Sequence, residues 1–146
     1  MELLIRPLKK DDLDELVIID TEITGKKRES YYRRKFVEIF DSGRLSVSLV
    51  AEVDDRVVGF LLGQVYEGEY GIPENTAYLD TIGILPKYSK VGVGTRLLEQ
   101  FVANMRACNV SKIYTLVNFS DTKLIKFFGS HGFSPSKRIN LELEVL

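Results

Sequence analysis

The stretch from Leu79 to Cys108 limits most sharply what this chain can fold into. Leu79 to Leu85 reads as an apolar strand, and Pro86 breaks it. Ser89-Lys90-Val91-Gly92-Val93-Gly94 then forms a turn with two glycines, and a helix runs to about Cys108. Glycine permits positive φ and close approach of the backbone to a ligand. The first N–H groups of a helix have no partner within it, and the helix dipole puts partial positive charge there. A helix start laid bare in this way suits a phosphate group.

The remaining segments fall into order around that stretch. Glu2 to Pro7 is a short apolar strand, and Asp11 is placed to cap a first helix running to about Glu22. Thr24 to Glu29 is a polar break. Ser30 would cap a second helix, with its stripe at Tyr32, Phe36, Ile39 and Phe40 and its stop at Gly43. Leu45 to Val53 and Arg56 to Tyr66 are strands joined at Asp54-Asp55, a hairpin turn. Gly59 and Gly63 inside the second of these mark a bulge or a close backbone approach.

Glu67 to Thr76 is a long loop with three glutamates, and Ala77 to Leu85 is the strand that carries Asp80 and Thr81. The third helix has its stripe at Val93, Leu97, Leu98, Phe101, Val102, Met105 and Cys108. Lys112 to Val117 is β-rich, and Ser120 would cap a fourth helix that ends at Gly132. Ile139, Leu141, Leu143 and Val145 alternate with polar residues, which predicts a last, half-buried strand.

The predicted order is β-α-α-β-β-β-α-β-α-β. The unit from Ala77 to Val117 requires parallel strands and a right-handed crossover. A single α/β domain over residues 1–146 follows, with a mixed sheet of about six to seven strands and helices on both faces.

Composition excludes several classes. A net charge of −1 argues against non-specific nucleic-acid binding. One cysteine and one histidine leave no basis for an internal disulfide, a cysteine-rich metal site or a histidine zinc site. No apolar run reaches the roughly 20 residues of a membrane span, and no signal peptide is visible, so the expectation is a cytoplasmic protein without membrane association.

Pro86 to Leu98, behind an apolar strand, resembles the acyl-CoA-binding segment of the GNAT N-acetyltransferase superfamily. Asp121 to Phe133, ending His131-Gly132-Phe133, resembles that family's next helix and its Gly-Phe ending. The resemblance implies an enzyme that moves an acetyl group from acetyl-CoA to a primary amine, with no metal. It implies that the backbone of Ile82, Gly83 and Ile84 pairs with the pantetheine arm, which needs this strand to splay from the Lys112 to Val117 strand. It also implies that backbone N–H groups of Lys90, Val91, Gly92, Val93, Gly94 and Thr95 hold the pyrophosphate, with Ser89 opening this cofactor-binding turn.

Three positions depart from the family pattern. Ser89 stands where Gln or Arg is usual, and Asp121 stands where an asparagine contacts the cofactor arm. Phe128 stands where a tyrosine often protonates the leaving thiolate, and it has no proton to give.

An amine must shed a proton before it attacks a thioester, so a base is needed. Asp80 is the first candidate. If its strand is regular, its side chain shares a face with that of Ile82. Glu69, Glu74 and Glu22 are alternatives. Tyr78 and Tyr114, on the strands flanking the expected cleft, are candidate acids or packing residues.

Cys108 reads as a packed, inert thiol, and His131 as a favourable cation at a helix end. The basic run Lys26, Lys27, Arg28, Arg33, Arg34 and Lys35 reads as a solvated face or as a flank for an acidic partner. An acyl-CoA sensor without catalysis is the second reading, favoured by Phe128. A nucleotide-binding protein is the third. The turn lacks the Lys-Ser/Thr pair of a P-loop, and Leu97 takes the third glycine position of a dinucleotide fingerprint. A homodimer is expected if the terminal strand lies at a sheet edge.

Overall fold

Tight turns and apolar alternation set down most of the sheet as a meander. The computed structural model describes residues 2–42, 47–66 and 75–146. It divides into two units, Met1–Thr115 and Leu116–Leu146.

In the first unit the strands are β1 (Leu3–Pro7), β2 (Leu49–Val53), β3 (Arg56–Tyr66), β4 (Thr76–Ile84) and β5 (Lys112–Thr115). They lie side by side in chain order; the first three pairings are antiparallel and β4–β5 is parallel. Asp54 and Asp55 both take positive φ, 52° and 63°, the conformation of a type I′ hairpin turn. The helices of this unit are α1 (Leu13–Thr24), α2 (Glu29–Asp41) and α3 (Val93–Ala107).

α1 and α2 cover one face, where Leu16, Ile19, Tyr32 and Phe36 join Val50, Phe60 and Leu62 in one buried cluster. Two charged networks clamp this face. Arg6 grips Asp12 through both guanidinium ends (2.8 and 2.9 Å) and Glu52 at 2.7 Å. Burial pushes the Asp12 carboxyl up, but Arg6 and the Lys9 N–H outweigh it and hold the carboxyl below its usual range. Asp20 accepts two hydrogen bonds from Arg28 (2.6 and 2.9 Å) and one from the Tyr32 hydroxyl (3.0 Å), joining α1 to α2.

α3 covers the opposite face through Val93, Leu97, Leu98, Phe101 and Met105. Close approach explains the strand glycines: a Cβ at Gly63 would stand 2.6 Å from Phe101 Cε1.

The second unit holds α4 (Thr122–Ser130). Its cap is Asp121, which accepts from Leu124 N at 3.1 Å, and not Ser120, whose hydroxyl bonds the Asn118 side chain. Gly132 takes φ 91° at the helix end, as its position predicted.

Other expectations need correction. Among the described residues the sheet has five strands, fewer than six to seven. Residues 139–146 form no strand, and Ile139, Leu141, Leu143 and Val145 are 79–84% exposed. Alternation fixes which side chains would face a core, but a strand also needs a neighbour to pair with. Neither Asp11 nor Ser30 caps its helix. Asp12 takes that place before α1, turned back onto Lys9 N (2.7 Å). Gly43 and Glu67 to Glu74, with candidate bases Glu69 and Glu74, lie outside the described residues.

Candidate active site

β4 outruns its parallel neighbour. The β4–β5 ladder runs from Thr76↔Lys112 to Leu79↔Thr115 and stops. The Thr115 hydroxyl closes it by donating to Leu79 O at 2.9 Å. From there to Ile84, β4 pairs, among the described residues, only with β3. The backbone groups of Asp80 to Ile84 on the β5 side therefore form an open edge, which includes Ile82, Gly83 and Ile84. An extended chain can add to such an edge through main-chain hydrogen bonds.

The open edge leads directly into the helix start. After Ile84 the chain passes a single 3₁₀ turn (Pro86–Tyr88), and Gly92 then enters α3 with φ 86°. Ile84 and Val93 meet over Gly59, whose missing side chain leaves the room. A Cβ there would lie 2.8 Å from Ile84 Cδ1 and 3.1 Å from Val93 Cγ1.

The first helical hydrogen bond at this end is Arg96 N to Gly92 O, 3.0 Å. The N–H groups of Gly92, Val93, Gly94 and Thr95 precede it and find no acceptor among the described residues. The first turn carries no acid. The Ser89 hydroxyl is turned back to Pro86 O at 2.9 Å, and Lys90 and Val91 are exposed. Unpaired N–H groups at a dipole's positive end, with no competing carboxylate in that turn, match the needs of a diphosphate.

Asp80 sits where the ladder stops, and the strand is not regular there. Leu62 pairs with Thr81 and Gly63 with Leu79, so Asp80 is the extra residue of a β-bulge. Bulges re-aim side chains and are common beside active sites. This one turns Asp80 toward α2, away from the face that Ile82 shares with Ile84. The expectation that Asp80 and Ile82 share a face is overturned. Lys35 Nζ stands 2.7 Å from the Asp80 carboxylate, both side chains about four-fifths shielded from solvent. Burial pushes the Lys35 ammonium down, yet the hydrogen bond and charge of Asp80 outweigh it and hold it above its ordinary value. The Lys35 ammonium is therefore charged at neutral pH.

Tyr78 and Tyr114 are brought opposite each other in the parallel ladder, immediately before it ends. The Tyr78 ring also packs edge-on against Tyr66, centroids 6.2 Å apart. Glu22 is exposed on α1, and Cys108 is exposed past the end of α3, not packed into its stripe. In the second unit, Asp121 spends its carboxylate on the helix cap and Phe128 is buried between Phe127 and Phe133. His131 Nδ1 lies 2.8 Å from Phe127 O.

The basic run divides on folding. Arg28 is taken by Asp20, Arg33 by Glu29 and Lys35 by Asp80, while Lys26, Lys27 and Arg34 are exposed. Sequence reasoning saw Lys35 only as one of that run. Its one visible signal is its place beside the apolar stripe, one residue before Phe36 and one turn after Tyr31. No group of side chains suited to a metal ion occurs among the described residues, and no helix there is long and apolar enough to cross a membrane.

Residues 11–133 match the model of the acetyltransferase (GNAT) family. An N-alpha-acetyltransferase of Saccharolobus solfataricus is 27% identical over 139 residues, 91% of this chain and 81% of the relative. One from Sulfurisphaera tokodaii is 23% identical with the same coverage. Among solved structures, the aminoglycoside N-acetyltransferase AAC(6')-Iy in complex with CoA superposes with a TM-score of 0.81 at 17% identity, covering 99% of this chain and 96% of its own. The ribosomal-protein-S18-alanine N-acetyltransferase of Escherichia coli gives 0.75 at 20% identity, covering 92% and 79%. The chain belongs to the GNAT acetyltransferase family.

Proposed function

We propose that this chain acetylates a cationic primary amine by direct attack in a ternary complex, with Asp80 as the general base. The observation that carries the reading is the open edge of β4 beyond Leu79, running straight into the bare start of α3. In this reading the backbone of Ile82, Gly83 and Ile84 pairs with the pantetheine arm, and the amides from Lys90 to Thr95 hold the pyrophosphate of acetyl-CoA. Similar proteins act on amines: the relatives are N-alpha-acetyltransferases, and one solved neighbour is an aminoglycoside N-acetyltransferase.

Asp80 takes the ammonium proton of the acceptor, directly or through water. The freed lone pair bonds the acetyl carbon, the C–S bond breaks and the thiolate leaves, while the nitrogen gives its second proton to water, which balances the proton the thiolate takes up. Tyr78 or Tyr114 supplies the thiolate's proton, with water as the fallback, because Phe128 has none to give. Open-edge N–H groups donate to the oxygen on which negative charge develops. Holding the two reactants together on one edge removes much of the entropic cost of their meeting.

The absence of a hydroxyl at Phe128 favours a second reading, an acyl-CoA sensor. Thiol release from acetyl-CoA with a panel of amines, beside calorimetric titration with CoA, separates the two. Amine-dependent release supports transfer. Tight CoA binding without release with any amine overturns it in favour of the sensor.

A further inference from the structure

Lys35 occupies the place that the proposed chemistry reserves for the substrate. Its ammonium lies 2.7 Å from the Asp80 carboxylate, at the bulge where the β4–β5 ladder ends. An acceptor ammonium that loses its proton directly to Asp80 needs that same contact.

Lys35 also has somewhere else to go. Its Nζ is 3.6 Å from Glu38 Oε2, one turn along α2, and that carboxylate is 62% exposed. The Tyr31 ring, one turn earlier on the same side of the helix, has its centroid 6.0 Å from the ammonium and offers it a π face. One flexible four-carbon stem therefore serves an inner partner, Asp80, and an outer partner, Glu38.

We propose that Lys35 is an internal stand-in for the acceptor ammonium: it holds Asp80 until a cationic acceptor displaces it toward Glu38, and so sets how tightly such acceptors bind. This rests on Asp80 being the base. Lys35 is then a specificity-determining residue on the acceptor side, and acetyl-CoA binding is independent of it.

The sign of the effect separates this role from a structural one. Loss of a structural ion pair lowers activity, whereas removal of a competitor lowers the KM of the acceptor. Steady-state kinetics on the full chain would use 1,4-diaminobutane, glucosamine and an alanyl peptide as acceptors. Lys35→Met is expected to lower the KM of the best cationic acceptor about fivefold, with the KM of acetyl-CoA unchanged within twofold. Lys35→Arg keeps the stand-in charge and is expected to stay near wild type. Glu38→Gln removes the outer partner at an exposed position, where folding is not at stake, and is expected to raise the acceptor KM.

A Lys35→Met acceptor KM that is unchanged or raised overturns the inference, as does a Glu38→Gln acceptor KM that is unchanged or lowered. If Asp80→Asn still lowers kcat/KM in that case, the base assignment survives and only Lys35 is removed. If Asp80→Asn also behaves as wild type, or if neither wild type nor Lys35→Met acetylates any amine, the inference falls together with the reading beneath it.

Discussion

Between Ile82 and Thr95 the groups proposed to meet a ligand are backbone amides, and among the described residues no ion pair is formed along that segment. Between Asp20 and Lys35 the groups nearest the site are charged side chains, two of them already partnered across elements: Arg28 with Asp20 and Lys35 with Asp80. The first region is set by where the chain turns, the second by what meets after folding. The donor side should therefore tolerate side-chain changes and fail when its backbone is constrained. The acceptor side should do the reverse.

The largest expected effect is at Asp80. Asp80→Asn keeps the shape and removes the proposed base, so kcat/KM should fall about 100-fold or more, the usual range for a general base. The KM of acetyl-CoA should stay within about twofold, because no part of the donor side uses that carboxylate. Steady-state kinetics with both substrates varied checks both halves. Wild-type kcat/KM at every pH would take Asp80 out of the chemistry and erase the acceptor side as drawn.

The next largest is at Asp20, which ties α1 to α2. Asp20→Ala leaves the Tyr32 hydroxyl buried without its acceptor, on a residue with no exposure at all. Stranding such a group costs about 1–3 kcal/mol. The Arg28 contribution is smaller, since that guanidinium is 42% exposed and screened by solvent.

pH tests the same network. The Arg28 hydrogen bonds hold the Asp20 carboxyl below its usual range against the opposing effect of burial, and the Tyr32 hydroxyl adds to them. A depressed carboxyl stabilises the fold above its unfolded pKa of about 3.9, and that stability is lost as pH falls through the folded value. Thermal melts should be flat in this contribution from pH 7 to about 5 and decline below about 4. Asp20→Asn should shrink the decline, leaving the share of Asp12, which is also held below its usual range.

On the donor side the sensitive position is Gly92. Its φ of 86° is the left-handed region, and a Cβ there would meet nothing within 4 Å. Gly92→Ala therefore acts through backbone strain alone, about 1–2 kcal/mol. That strain falls on the turn proposed to hold the pyrophosphate, so acetyl-CoA should bind roughly tenfold more weakly while the acceptor KM changes little. Ser89→Ala, by contrast, removes a hydroxyl already committed to Pro86 O and should leave acetyl-CoA affinity within about twofold. A Ser89 effect larger than the Gly92 effect would reverse the contrast between the two regions.

The same division explains what could be read before folding. Glycines at 59, 63 and 92 declare backbone needs locally: room for Ile84 and Val93, room for Phe101, and a left-handed entry to α3. The hairpin at Asp54-Asp55 and the span of β3 follow from equally local patterns. The bulge at Asp80 is marked only from across the ladder, by Gly63 of β3, and by nothing within β4. It arises when β3 and β4 settle a register that no residue of β4 encodes alone. Lys35 and Asp80 meet only because α2 packs across the sheet, and a lysine in a basic run looks like its exposed neighbours. Thr115 closes the β4–β5 ladder with a hydroxyl whose partner, Leu79, is also distant in sequence.

The smallest expected effect lies at residues 139–146, where sequence pattern and structure part furthest. Leu141 and Leu143 are 84% and 83% exposed. Full burial of such a side chain is worth about 1.5–3 kcal/mol, so groups this open contribute a few tenths at most. Leu141→Ser with Leu143→Ser should then shift stability by less than about 0.5 kcal/mol, within the ordinary range of surface changes. Chemical denaturation with sedimentation at several concentrations checks this. A loss above about 1 kcal/mol, with a dimer that dissociates in the double variant, would mean that the alternating residues are half-buried after all. Their neighbour would then be a second copy of this chain, which is what a period-two pattern without a partner strand in its own chain would require.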